Sequence, residues 1–87
     1  MQITKIMATY NLLLFGICRD LLKKDQISLD FEGPLHAEKL LAIVIEQFPP
    51  LQNLPSLRLA AEQHFPKPDF IIEAHMEIAL IPPVSGG

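Results

Sequence analysis

The sequence predicts an α+β fold in which one main helix packs against a mixed sheet of four to five strands. This prediction depends on a short segment that alternates between apolar and polar residues and on a longer segment with helical spacing. It also depends on a series of short apolar segments in the second half of the chain. The 87 residues suit a single domain, expected to span residues 1–87, with residues 82–87 as an extended tail.

The first third of the chain alternates between strand and helix signals. Residues 11–17 (NLLLFGI) form an apolar run that is consistent with a strand buried on both faces. Residues 18–25 (CRDLLKKD) indicate a short helix with Leu21 and Leu22 pointing inward. Residues 26–32 (QISLDFE) alternate between apolar and polar side chains, which predicts a half-buried strand. Its apolar face carries Ile27, Leu29 and Phe31.

The main helix is predicted over residues 36–48. Gly33-Pro34 ends the preceding strand, and Pro34 suits the first turn of the helix. The helix carries an apolar face formed by Ala37, Leu40, Leu41, Val44 and Phe48. Pro49-Pro50 ends the helix, because proline cannot continue its hydrogen bonding. Short strands are expected at residues 56–61, 70–72 and 77–81, with a turn or edge segment over residues 62–69. This order of elements fits a β-grasp, the ubiquitin fold.

Composition narrows the class of protein. With 49% hydrophobic and 20% charged residues, the chain is typical of a globular protein and not of a disordered one. The seven Lys and Arg residues form no basic block, so no nucleic-acid partner is expected. The apolar run at residues 12–18 is too short to span a bilayer, so no membrane partner is expected. Cys18 is the only cysteine, which favours a reducing compartment and therefore the cytoplasm.

Few side chains indicate chemistry in the body of the chain. The spacing of His36, His64 and His75 is not that of metal ligands, so no metal site is predicted. The chain lacks a phosphate-binding loop of the G-x-x-x-x-G-K-[ST] type, so it is expected to bind no cofactor itself. Cys18 is interpreted as a buried structural thiol. Phe15 is either a docking aromatic on the sheet or part of the core.

The C-terminal tail, IPPVSGG, is the most informative segment. Its two prolines hold the chain extended, and its two glycines give the thinnest and most permissive backbone possible. A carboxylate at such an end could enter a narrow channel in a partner enzyme. ATP can convert a carboxylate into an acyl-adenylate, which a sulfur nucleophile can attack to give a thiocarboxylate. We therefore predict that Gly87 is the reacting residue. The residues predicted to thread into a partner's active site are Pro82, Pro83, Val84, Ser85 and Gly86.

The same tail resembles the MoaD and ThiS group of ubiquitin-like sulfur carriers, in particular the small subunits of molybdopterin synthase. Residues 13–21 (LLFGICRDL) are similar to the first strand of that group and to the polar helix start that follows it. The resemblance covers roughly residues 11–87. The chain departs from the pattern at Glu62, where the group often has asparagine, and at Ala74-His75-Met76, where it usually has an Asp-Gly-Asp turn.

The resemblance implies a sulfur carrier that is not catalytic alone. An E1-like adenylating enzyme would activate Gly87 with ATP and magnesium, and a sulfurtransferase would supply the sulfur. The tail would then enter the large subunit of molybdopterin synthase and donate sulfur to a cyclic pyranopterin precursor, forming the molybdopterin dithiolene. A heterotetramer of large and small subunits is implied. Two alternatives stay open: a carrier for thiamine or another thiolation pathway, and a ubiquitin-like binding module that is never activated.

Overall fold

The computed structural model describes residues 7–83. In chain order the elements are β1 (Met7–Leu14), α1 (Gly16–Leu22), β2 (Gln26–Glu32), β3 (Leu35–His36), α2 (Ala37–Gln47), a 3-10 helix (Pro49–Asn53), β4 (Arg58–Ala61), β5 (Ile71–Ile72) and β6 (Ile78–Ile81). Four of the strands form a sheet in the order β2-β1-β6-β4, and β3 pairs with β5 in a separate small sheet. The two central strands, β1 and β6, are parallel, so the chain crosses over between them. This arrangement is the predicted β-grasp.

The core lies between α2 and one face of the sheet. The buried residues of α2 are Ala37, Leu40, Ile43 and Val44. Leu41 and Phe48, which were also predicted on the apolar face, are partly buried and contact the edge of the core. Ile43 was missed in the sequence analysis, although it lies three residues after Leu40 and therefore on the same side of the helix. No helix between residues 7 and 83 is long and apolar enough to cross a membrane.

The first strand differs most from its prediction. Within the described residues it already starts at Met7, four residues before the predicted start, and it pairs with β2 from Met7 opposite Glu32 to Leu13 opposite Gln26. It is not buried on both faces, since buried and more exposed side chains alternate along it. The strand ends at Leu14, because Gly16 has a φ of 53° and turns the chain into α1.

The short helix α1 also turns a different side inward. Cys18 is buried and Leu22 is partly buried, whereas Leu21, which was predicted to point inward, is 37% exposed. Cys18 and Leu22 lie four residues apart and share one face of the helix, so Leu21 must lie beside that face.

The segment before α2 corrects the prediction for Pro34. This residue does not lie in the first turn of the helix, because Leu35–His36 intervene as β3 and pair with Ile71–Ile72. The preceding Gly33 lies against the side chain of Tyr10, where a Cβ atom would clash with the tyrosine hydroxyl. The glycine therefore permits this close approach of the backbone to the core.

The N-terminus of α2 is satisfied by backbone groups of a distant loop. The N–H of Ala37 donates to the carbonyl oxygen of Phe70 at 2.8 Å, and the N–H of Glu38 donates to that of Pro68 at 3.0 Å. No side chain caps the helix at His36. The loop between β4 and β5 thus supplies the hydrogen-bond acceptors that a capping side chain usually supplies.

The segment after β4 forms the predicted turn. The N–H of Ala61 donates to the His64 carbonyl at 2.9 Å, and the N–H of His64 donates to the Ala61 carbonyl at 3.0 Å. Between them, Glu62 and Gln63 have φ values of 52° and 65°, as in a two-residue hairpin turn of type I′. Asparagine and glycine favour these positive φ values, whereas glutamate does not, so Glu62 adopts a left-handed backbone conformation that is unfavourable for its residue type.

Candidate functional site

The outer face of the four-stranded sheet, opposite α2, is partly apolar. Ala79 lies at its centre, paired with Leu13 on one side and with Ala60 on the other. Ile81 follows two residues later in β6 and projects to the same side. All four side chains are half-buried. Because both alanines are small, this row forms a depression between larger neighbours.

The depression is a cavity of about 360 Å³. We call its apolar part the basin, formed by Leu13, Phe15, Ala60, Phe65, Ala79 and Ile81. Polar side chains at its rim are Gln63, His64 and Glu77. A surface of this kind, with an apolar centre and a polar rim, can bind another protein.

Phe15 is exposed at the edge of the basin. Its side chain is 46% exposed, so the interpretation that it belongs to the core is wrong. The residue lies just after β1 in an extended conformation, with φ −131° and ψ 155°, and therefore projects to the same side as Leu13. Gly16 then turns the chain away, which leaves the ring at the end of the sheet. The docking role of Phe15 stays a prediction.

Phe65 is the basin residue that the sequence analysis missed. It lies just after the hairpin turn, it is 51% exposed, and its ring forms one wall of the cavity. The guanidinium carbon of Arg58 lies 3.6 Å from the centre of this ring, in a cation–π contact. Periodicity could not identify Phe65, because it lies outside a regular strand. The available signal was a large aromatic residue directly before proline in a polar segment.

The tail begins at the edge of the basin. Ile81 is the last residue of β6, and the next residues, Pro82 and Pro83, are half-buried. A Cβ atom at Gly16 would lie 3.1 Å from Cγ of Pro82, so the glycine leaves room for the first proline of the tail. The other predicted site residues are Val84, Ser85, Gly86 and Gly87, and they lie outside the described residues. Their roles stay predictions.

Other side chains of the sequence segments discussed above show no reactive arrangement. Cys18 is fully buried, and burial raises the pKa of its thiol, as expected for a structural cysteine. Arg19 forms an exposed ion pair with Asp25, with 3.3 Å between Nε and Oδ1. Within residues 7–83, His, Cys, Asp and Glu side chains form no group of three that could hold a metal ion.

The fold and the basin define a ubiquitin-like β-grasp protein. Among solved structures, the chain is similar to small archaeal modifier protein 1 from Haloferax volcanii, with a TM-score of 0.76, 19% identity, and coverage of 92% of this chain and 100% of that one. It is also similar to a Pyrococcus furiosus protein provisionally named molybdopterin converting factor subunit 1, with a TM-score of 0.76, 12% identity, and coverage of 88% and 99%. At these identities the likeness concerns the fold alone.

Sequence comparison gives the family. The model of the ThiS family matches residues 12–87. Two relatives named molybdopterin synthase sulfur carrier subunit come from Caenorhabditis briggsae, at 33% identity, and Caenorhabditis elegans, at 32%. Each alignment spans 84 residues and covers 93% of this chain and 100% of the relative. The chain belongs to the ThiS family.

Proposed function

We propose that this chain is the sulfur-carrier subunit of a molybdopterin synthase and that its reacting group is the carboxylate of Gly87. The observation that carries the proposal is the continuity of the basin with the tail. Ile81 is both a wall of the basin and the residue directly before Pro82. The tail of the chain therefore begins beside the contact surface of any partner that binds over the basin. The names of the two Caenorhabditis relatives support the same function.

The chemistry requires activation of a carboxylate. A carboxylate oxygen of Gly87 attacks the α-phosphorus of ATP in an E1-like enzyme, with magnesium, and pyrophosphate leaves. A sulfur nucleophile at the oxidation level of sulfide, supplied by a sulfurtransferase, then attacks the carbonyl carbon and displaces AMP. The thiocarboxylate sulfur then attacks a carbon of a cyclic pyranopterin precursor in the large subunit and displaces an oxygen substituent from that carbon. Water hydrolyses the resulting thioester, which leaves the sulfur on the pterin and regenerates the Gly87 carboxylate. Repeated delivery of sulfur builds the dithiolene of molybdopterin.

The basin is the proposed contact for the large subunit. Exposed aromatic side chains such as Phe15 and Phe65 are well suited to anchor a protein interface. The working complex is a heterotetramer, with a dimer of large subunits and one small chain at each end. The small chain is inactive alone and acts in the cytoplasm, a reducing compartment that suits its single cysteine, Cys18.

Intact mass tests the reacting residue. After incubation with an E1-like enzyme, ATP, magnesium and a sulfur donor, the wild-type chain gains the mass that corresponds to exchange of one oxygen for sulfur. Deletion of Gly86-Gly87 abolishes the exchange. Addition of one residue after Gly87 also abolishes it, because the carboxylate moves by up to about 3.5 Å from the reacting position.

Melting curves of the same variants provide the control. Both variants should keep the wild-type melting temperature, because the buried core residues lie between Tyr10 and Leu80 and neither variant changes one of them. A normal yield of thiocarboxylate on the extended chain would contradict the role of Gly87. A wild-type chain that gains sulfur but does not bind a molybdopterin synthase large subunit would instead be a carrier for thiamine or another thiolation pathway. A chain that never gains sulfur would be a passive binding module.

A further inference from the structure

Side chains of opposite charge lie at the two ends of the basin. Arg58, which contacts the basin residue Phe65, lies at one end, and Glu77 of the rim, which contacts Glu62, lies at the other. Arg58 is the first residue of β4 and lies opposite Ile81, which directly precedes Pro82, the first residue of the tail. Glu62 and Glu77 lie at the other end of the same strand pair, where the Glu62 N–H donates to the Glu77 carbonyl at 2.8 Å. Four residue steps separate Glu77 from Ile81, the partner of Arg58, which is about 13 Å along an extended strand. The basin thus has a positive end near the tail and a negative end away from it.

The positive end is held in place by stacking. The guanidinium of Arg58 lies over the Phe65 ring, 3.6 Å from its centre, and this contact restricts the side chain while its N–H groups stay available. In the part of the chain that the structure describes, the ion pair formed within 4.0 Å joins Arg19 and Asp25. No carboxylate of this part of the chain therefore pairs with Arg58. Glu38 lines a neighbouring groove of about 260 Å³ together with Arg58 and does not reach it.

The negative end is also ordered by hydrogen bonds. The N–H of Glu77 donates to Oε1 of Glu62 at 3.3 Å, so the Glu62 side chain folds back toward β6. Glu77 itself lines the cavity of the basin. The two charged ends are therefore built into the same surface as the apolar centre.

We propose that these charges orient the partner. The inference rests on the proposed function and names the chemistry of the partner's surface. That surface is a protein face with an apolar centre, a carboxylate that pairs with Arg58, and a basic side chain about 13 Å away that faces Glu77. In this orientation Pro82, the first residue of the tail, lies at the entrance of the partner's active site. A complex in which the partner is rotated by 180° would place like charges together, and their repulsion would disfavour that complex.

Charge substitutions with matched controls test this inference. We measure binding of the E1-like enzyme and of the large subunit to wild type, Arg58→Gln, Arg58→Glu and Glu77→Lys. Lys39→Glu and Glu46→Lys make the same changes in net charge on the exposed side of α2, which lies on the opposite face of the sheet. Melting curves establish that each variant is folded.

Arg58→Gln should weaken binding about two- to fivefold, the range of a single exposed ion pair. Arg58→Glu and Glu77→Lys should weaken binding about tenfold or more, because each places like charges together. Both control variants should bind like wild type. Binding of wild type should weaken as salt is added, and Arg58→Glu should reduce that dependence.

Three results would overturn the inference. Folded Arg58→Glu could bind as well as wild type, or it could bind no worse than Lys39→Glu, in which case net charge alone would explain the effect. Either result overturns the inference and leaves the proposed function intact. If the wild-type chain binds neither partner, the proposed function fails and the inference fails with it.

Discussion

The two faces of the four-stranded sheet are both apolar at their centres, but residues 7–83 place a covering helix on only one of them. Along β6, Ile78 and Leu80 are buried beneath α2, while Ala79 and Ile81 alternate with them on the outer face and are half-buried. The inner side chains are in a core that the chain completes by itself. The outer side chains are of similar character and have no such cover among the described residues. The difference indicates which apolar residues serve folding and which are available to a partner.

The outer face itself is divided. On the side of β2, its side chains are polar and bond with one another: the Thr9 hydroxyl donates to Asp30 Oδ1 at 2.6 Å, and the Ser28 hydroxyl donates to Asn11 Oδ1 at 2.6 Å. Apolar character is confined to the half that adjoins the tail. This division agrees with the proposed role of the apolar half as the contact for a partner.

The largest effect is expected for a charge placed in the inner layer. Val44→Asp should unfold the domain, because Val44 is fully buried on α2 and the carboxylate would have no partner there. Loss of the cooperative thermal transition, measured by circular dichroism, checks this. A variant that still melts cooperatively would show that α2 does not complete the core.

Neighbouring residues of β6 give the sharpest comparison of the two faces. Leu80→Ala should lower the free energy of unfolding by about 2–5 kcal/mol, because it leaves a cavity in the core. Ile81→Ala should cost less than about 1 kcal/mol but weaken binding to the large subunit. Urea denaturation and a binding titration on both variants separate the two effects. If the two variants lost equal stability, the distinction between the faces would fail.

A stabilising change is expected at the turn beside the basin. Gln63→Gly should raise the free energy of unfolding by about 1 kcal/mol, because Gln63 has a φ of 65° and glycine adopts this conformation without strain. Thermal melting measures the gain. Binding to the large subunit should change little, since the basin's apolar residues are kept. Gln63→Ala is the matched control, because it shortens the side chain without relieving the backbone.

The smallest effect is expected from pH. Burial raises the pKa of the Cys18 thiol in the folded chain, so the unfolded chain loses this proton at a lower pH. The resulting stability is complete below the unfolded pKa of about 8.5 and is lost as pH rises above it. Burial, and secondly Glu73, raises the pKa of Tyr10, which adds to the loss at still higher pH. Urea titrations between neutral and alkaline pH should show a shallower decline for Cys18→Ala than for wild type.

The sequence predicted those elements that carry their own signals. Strand β2 has the predicted bounds, because its period of two matches a half-buried strand. Helix α2 begins and ends within one residue of its prediction, since the prolines after it fix its end. The extent of β1 among the described residues could not be predicted, because residues 7–10 join the strand through pairing with β2 and its end depends on the positive φ of Gly16.

The candidate site likewise has one part that the sequence predicted, the tail, and one part that it did not, the basin. The tail could be identified from sequence, because proline and glycine act through the backbone and need no tertiary context. The basin could not be predicted as a unit, since it brings together residues from three strands and a turn. Phe65 illustrates this, because only its position over β4 and beneath Arg58 shows that it belongs to the basin.

The short distance in sequence between the basin and the terminal carboxylate sets an effective concentration. Six residues follow Ile81, so Gly87 can lie at most about 20 Å from the end of β6. A group on so short a tether is present at millimolar concentration near any surface that binds the basin. Docking therefore need not be tight for the carboxylate to find its target. Under the proposed function, weak docking would let one copy of the chain leave the activating enzyme and pass to the large subunit without a slow dissociation step.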